Sequence, residues 1–293
     1  MIDLGKLNNI SDRNKGIIFI ILSAFGFAMM SAFIKLSGDL PSFQKTFFRN
    51  LVSCIISFAM IVKYKESFFG NKENRKILIL RSIFGTLGII LNYYAIDRLV
   101  LSDANMLNKL SPFFVIIFSA IFLKEKIKSN QAIAVCIAFI GALFIIKPTF
   151  DFEMIPYISG ILGAIFAASA YTCLRVLGGK EKFYTVVFFF SLFSTASILP
   201  FTIMVYKHMT LIQFTYLILA GIFASIGQFG VTLAYKYAPA KEISIFDYSN
   251  IIFSAIISII IFNTMPDSYS FIGYIIIFTA SYYMFLYNKR IKS

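Results

Sequence analysis

The sequence predicts an all-α integral membrane protein of ten transmembrane helices, built as two inverted five-helix repeats. Three observations predict it: an apolar composition, an alternation of basic and nearly uncharged connections, and an ungapped internal duplication. Hydrophobic residues make up 59% of the 293-residue chain and charged residues only 14%, with a mean hydropathy of +0.81. Soluble globular domains carry about 25% charged residues, so this composition belongs in lipid.

A helix needs about 20 residues to cross roughly 30 Å of hydrocarbon at 1.5 Å per residue. Segments of that length run over 16–35, 43–62, 77–96, 101–123 and 130–147 in a first half, and 155–177, 183–205, 211–235, 240–262 and 270–287 in a second. The halves are taken as 1–150 and 151–293, one five-helix repeat each. The opening Met1 to Lys15 is polar and the first span is too long for the apolar region of a signal peptide, so no cleavable leader is expected. The third span carries Arg81, Gly85, Gly88 and Asn92 at helical spacing, the sixth Gly160, Ala164, Ala168 and Tyr171, and the eighth Gly221, Ser225 and Gln228. Small residues so spaced let membrane helices approach closely, so these stripes read first as packing seams. Cys54, Cys136 and Cys173 each fall inside a span without a partner at metal or redox spacing, and read as small buried packing residues. Connections are short, the longest being the basic stretch from Lys63 to Lys76, which leaves no room for a separate soluble domain. The lack of Trp and the abundance of Ile, Lys and Asn suit an AT-rich bacterial genome.

The duplication is visible where Ala95 to Ala134 aligns with Ala234 to Gly273 at a constant offset of 139. Asp103 then sits over Glu242, Asn105 over Ser244, Asn108 over Asp247, Ser111 over Asn250 and Ser119 over Ser258. Most of these positions recur at helical spacing, giving each copy a polar stripe on an apolar cylinder. The string Ile-Ile-Phe-Ser-Ala-Ile, shared by 116–121 and 251–256, supports a different offset of 135, but in so Ile-rich a chain it reads as chance. Five spans per half is an odd number, so the second copy crosses the membrane in the opposite sense.

Lys and Arg alternate accordingly. Nineteen fall before span one, in every second connection and after span ten, against five at the opposite ends, namely Lys35, Lys45, Arg98, Lys147 and Lys207. By the positive-inside rule both termini are cytoplasmic. The net charge of +13 is therefore topological, and nucleic acid is not expected as a partner. The expected partners are a small-molecule substrate and the cell membrane, with a homodimer left open.

An ionisable group inside a span is costly unless it faces a cavity, pairs or snorkels, so each is a functional candidate. Arg49 lies on span two and Arg81 on span three, where each is placed either to snorkel to an interface or to hold a carboxylate or phosphate from inside a cavity. Lys109 is placed to pair with Asp103 or Asp247. Asp247, aligned with Asn108 and flanked by Ser244, Asn250 and Ser254, is read as a cavity-wall residue and the candidate proton-coupling group. Asp103 and Glu242 each sit in the first turn of a span, where a carboxylate complements the helix dipole. Tyr94, Tyr171 and Tyr248 offer a ligand both an apolar ring and a hydroxyl. The candidate substrate-binding set is thus Arg49, Arg81, Asn92, Tyr94, Asn108, Ser111, Tyr171, Gln228, Asp247, Tyr248 and Asn250, with no catalytic residue, metal ligand or cofactor expected.

The run Arg81, Gly85, Gly88, Tyr94-Ala95, Leu101, Asp103-Ala104, Ser111-Pro112, Leu123 and Glu125, with Arg49 on span two, resembles the EamA-type branch of the drug/metabolite transporter superfamily. The resemblance covers essentially the whole chain. It implies a proton-coupled or exchange carrier of amino acids, amines, nucleobase-like compounds, S-adenosylmethionine, organic anions or sugar nucleotides. The second half departs from the pattern, with Ile251 where Pro112 sits and Thr264 where Glu125 sits, so a proline bend is expected in one copy only.

The function this supports is a secondary carrier, working by alternating access, for a small polar or zwitterionic metabolite such as an amino acid. An organic-anion or nucleoside-type cargo such as S-adenosylmethionine is the alternative. An intramembrane enzyme lacks an activated nucleophile here, since the sole histidine, His208, lies in a short loop. A channel or non-transporting membrane subunit is the remaining class, but no charged ring or carbonyl filter marks a channel. No Walker-type nucleotide motif occurs, which points to an ion or substrate gradient as the energy source.

Overall fold

A computed structural model describes residues 11–123, 129–147, 154–177, 180–237 and 244–290, and every regular element among them is helical. In chain order the α-helices are α1 (Asp12–Leu36), α2 (Ser42–Tyr64), α3 (Arg75–Arg98), α4 (Leu101–Asn108), α5 (Ser111–Leu123), α6 (Ser129–Ile146), α7 (Ile155–Leu177), α8 (Phe183–Met204), α9 (Leu211–Tyr237), α10 (Ser249–Phe262) and α11 (Ser268–Arg290). Among the described residues, eight of these are long and apolar enough to cross a membrane. The fourth and ninth predicted spans are the exceptions, each being interrupted.

Sequence sets the helix ends. Ser11 caps α1 by accepting a hydrogen bond from the Asn14 amide at 3.4 Å, Asp12 lies in its first turn and Lys35 in its last, each charge opposing the dipole end beside it. Gly38, at φ +68°, then reverses the chain toward α2. The faces of α2 are sorted for lipid: Gln44, Lys45, Thr46, Arg49, Asn50, Ser53 and Ser57 are buried, whereas Ile55, Phe58 and Val62 are exposed. In a soluble helix the apolar stripe would turn inward; in a bilayer the costly groups must.

The fourth span breaks between α4 and α5, where Lys109 and Leu110 close with short hydrogen bonds onto Met106 and Leu107 carbonyls. Pro112 has no amide hydrogen, and its ring opposes the carbonyl four residues back, on Asn108, so an unbroken helix is disfavoured there. The ninth span opens as a 3-10 turn over Ser244–Tyr248 before α10 begins. Adding the 139-residue offset to 109–110 gives 248–249, so the two interruptions fall in register. The sequence predicted a bend only where a proline stands. The second copy departs from α geometry without one, and there the Ser249 hydroxyl donates to the Phe246 carbonyl at 2.7 Å, competing with regular helical bonding.

Helix packing follows the duplication. α1 packs along α9 and α3 along α7, a pair of contacts that exchange when each span is shifted by five; α2 packs on α8 and α6 on α11, contacts that map onto themselves. The closest approaches occur at glycine. A Cβ on Gly26 of α1 would sit 2.8 Å from the Gly227 amide nitrogen of α9, and one on Gly273 of α11 would sit 2.6 Å from the Gly141 carbonyl of α6. Gly88 and Gly163 serve the α3–α7 contact in the same way, which makes the third-span stripe in part a packing seam. The three cysteines are free thiols; Cys136 is exposed on the outward face of α6 where a buried packing residue was expected.

Candidate functional site

Buried polar groups divide into two populations, those satisfied by the protein and those left over. The polar stripe of the fourth and ninth spans belongs mainly to the first. Asn105 accepts from Ser31 at 3.2 Å and donates to Ser254 at 2.8 Å, tying α1, α4 and α10 together, and Asn250 donates to the Ala24 carbonyl at 2.8 Å. Asp103, in the first turn of α4, accepts the Tyr274 hydroxyl of α11. Lys109 forms an ion pair with Asp247, so the two helix breaks are joined by opposite charges. Tyr248 stands beside that pair, its hydroxyl 3.4 Å from the Lys109 carbonyl and accepting from Ser281.

The second population lies elsewhere. Among the described residues, nine buried side-chain polar atoms have no hydrogen-bond partner, and seven of them sit on α2, α3 and α8, which pack on one another. They are Arg49 Nε on α2; Arg81 Nε and Nη1, Thr86 Oγ1 and Asn92 Oδ1 on α3; and the Ser191 and Thr195 hydroxyls on α8. Arg49 is 2% exposed and Arg81 6%, so neither snorkels. Arg49 donates to Asn50 Oδ1, and Asn50 in turn donates to Ser194 of α8 at 2.7 Å. Arg81 lies over the Phe190 ring, its guanidinium carbon 3.8 Å from the centroid. No described carboxylate is within ion-pair distance of either guanidinium.

Tyr171 of α7 connects the two regions. It keeps 47% of its surface accessible, yet its hydroxyl lies within electrostatic reach of Asp247, Arg81 and Arg49. Of the candidate residues, Arg49, Arg81 and Asp247 thus share electrostatic reach of the Tyr171 hydroxyl, with no hydrogen bond or ion pair linking it to them. Asn92 is buried on α3 six residues from its C-terminal end, about 9 Å by helical rise, and Arg49 is about 10 Å from the N-terminal end of antiparallel α2, so the two share a depth. Asn108 and Ser111 flank the break itself, and Gln228 is half-buried on α9. Tyr94 lies apart, its ring stacked under the Arg98 guanidinium at 3.7 Å near the end of α3. Its neighbour Tyr93 points inward instead, 1% exposed, its hydroxyl donating to Met30 Sδ at 3.5 Å. Glu242 and Glu125 lie outside the described residues, as do the side chains of Ser244 and Ser119.

Sequence reading passes over three contributors. Asn50 joins Arg49 to Ser194, a link between helices that a neutral amide does not signal in sequence. Ser191, Ser194 and Thr195 stand at i, i+3 and i+4 on one face of α8, a legible signal. Lys45 is fully buried and paired with Asp97 at 2.5 Å, where the sequence suggested a span-edge cation.

Comparison with known proteins places this geometry in a family. The chain is 28% identical over 268 residues to the pseudopaline exporter CntI of Pseudomonas aeruginosa (strain UCBPP-PA14), covering 90% of this chain and 94% of that protein. It is 28% identical to human solute carrier family 35 member G1, over 86% of this chain and 73% of the relative. It is 24% identical to the S-adenosylmethionine uptake transporter of Rickettsia bellii (strain RML369-C), over 95% and 96%. A protein of known crystal structure superposes with a TM-score of 0.69 at 14% identity, over 96% of this chain and 99% of the other, which shows the shared fold. The family model for EamA-like transporters matches twice in succession, at residues 14–147 and 154–286. With both copies of that model filled by a single helical membrane bundle, the chain belongs to the EamA-like transporter family.

Proposed function

We propose that the protein is a secondary carrier that moves a small polar metabolite across the cytoplasmic membrane by alternating access, with 1–150 and 151–293 as its two halves and both termini in the cytoplasm. The observation that carries this reading is the Lys109–Asp247 pair joining two interrupted helices, one from each half. Discontinuous helices at the interface of inverted repeats stand beside the cargo cavity of such carriers, because unwound backbone is tolerated in a bilayer only next to a cavity or protein. Tyr171, whose hydroxyl is within electrostatic reach of Asp247, is the side chain this reading places on the cargo's way to the pair. Relatives whose names describe an exporter and an uptake transporter align over nearly the whole chain, which suits a carrier whose direction follows its gradients.

Asp247 is the proton-coupling group in this reading. Protonation would release Lys109 and free the two broken helices to part, and deprotonation would restore the tie. Reconstituted in liposomes, the protein should show saturable counterflow of a transported solute that an imposed pH gradient accelerates. Asp247→Asn should keep counterflow and lose the acceleration. An unchanged response to pH in that variant would remove Asp247 from the coupling step, and conductance without saturation would replace the carrier with a channel.

A further inference from the structure

We propose that the cargo is a net-negative metabolite whose carboxylate or phosphate oxygens span from Arg49 to Arg81, about 15 Å apart in depth by helical rise and each on a long side chain, and whose own hydrogen-bond donor meets Asn92 at the depth of Arg49; this rests on the carrier reading above. The argument is one of unbalanced charge. Inside the bundle Lys109 is neutralised by Asp247 and Lys45 by Asp97, whereas Arg49 and Arg81 have no carboxylate at all among the described residues. Two buried guanidiniums without a carboxylate are a costly arrangement in lipid, and the Phe190 face offsets only part of it for Arg81. What they lack is an anion, and the chain does not supply it.

The remaining unpartnered atoms describe the rest of the ligand. Arg49 Nε, Arg81 Nε and Arg81 Nη1 can only donate, and guanidinium forks match planar carboxylate or phosphate oxygens. The Thr86, Ser191 and Thr195 hydroxyls can add further donors. Asn92 Oδ1 can only accept, so it needs a hydroxyl or N–H from the cargo. A zwitterion would require a carboxylate for its ammonium group within the cluster, and none stands free on α2, α3 or α8 beside the unpartnered atoms: Asp97 is held by Lys45, Asp247 is held by Lys109, and Asp103 is on α4, bonded by Tyr274 of α11. The α2–α3–α8 cluster therefore selects anions bearing a hydroxyl or amide over amino acids and amines.

The test uses the full-length protein, with thermal stabilisation in detergent and uptake into liposomes read for L-malate, succinate, inorganic phosphate, L-alanine and putrescine. Malate should stabilise the protein and be taken up, succinate should do so more weakly, and alanine and putrescine should do neither. Arg81→Gln should weaken malate binding about a hundredfold, the loss typical of removing one partner from a buried charged hydrogen bond, and Arg81→Lys should recover part of it. Asn92→Leu should bind malate no better than succinate. Stabilisation by phosphate but not malate, lost in Arg81→Gln, would keep the anion site and assign its ligand as a phosphate. Transport of alanine or putrescine with indifference to every anion would overturn the inference while leaving the carrier standing; transport of no solute would count against both. Should the arginine variants fail to fold, competition on wild-type uptake decides, with inhibition by anions expected and inhibition by alanine or putrescine alone contradicting it.

Discussion

Lys45 shows how much a single side chain costs when placed in a bilayer. It is fully buried and held by Asp97, while Lys35 of α1 donates nearby to the Leu99 carbonyl at the start of the α3–α4 connection. Removing one partner leaves a bare charge in an apolar bundle, so Asp97→Asn should lower stability by about 3–5 kcal/mol, whereas the double change Lys45→Met with Asp97→Leu should restore most of it. Thermal melting of the two variants in detergent would show the difference, and equal losses would mean the pair contributes through packing alone. Of this polar interior, the sequence exposed the charges and hid their partners. Arg49, Arg81 and Asp247 stand out in any apolar run, but the choice of Asp247 over Asp103 for Lys109 is decided by helices that meet only in the fold. Tyr93 and Tyr94 are adjacent in sequence and point to different places, because successive residues on a helix are turned about 100° apart.

Helices carry the next level of information, in small residues and in breaks. Gly141 and Gly273 face each other across α6 and α11 at a distance that leaves no space for a side chain. Gly273→Leu should therefore push these helices apart and destabilise the protein by roughly 1–3 kcal/mol, measurable as a lower melting temperature, while Ile275→Leu on the exposed face of the same helix should leave it unchanged. The small-residue stripes were readable as helix spacing, yet they could not name the facing helix. The breaks were half readable. Pro112 signals one directly, whereas the 3-10 turn over Ser244–Tyr248 arises from local side-chain bonding and from the place where α4 and α10 cross. Loosening that junction by Tyr248→Phe, which removes the hydroxyl bonded by Ser281 and directed at Lys109, should cost about 1 kcal/mol of stability and raise the sensitivity of uptake to pH if the break moves during transport.

At the scale of the whole bundle, contacts obey a pairing that exchanges α1–α9 with α3–α7 and leaves α2–α8 and α6–α11 in place. Charges do not obey it: the Arg49 and Arg81 side has no counterpart in the second half, whose corresponding spans, α8 and α9, carry no arginine at equivalent depth. The helix scaffold is thus symmetric where its buried arginines are not. The orientation of that scaffold is open to a simple check. A fluorescent reporter fused after Ser293 should fold and emit in the cytoplasm, and a periplasm-active phosphatase at the same point should stay silent; the opposite result would invert the assignment made from the nineteen-to-five distribution of basic residues. The sequence by itself determined the membrane class, the ten spans and the duplication, because hydropathy, loop charge and an ungapped repeat are local, additive properties of the chain. Tertiary structure alone decided which polar groups are satisfied and which are left waiting, since a hydrogen bond or ion pair between helices depends on rotation and depth, and those are set only when the helices pack.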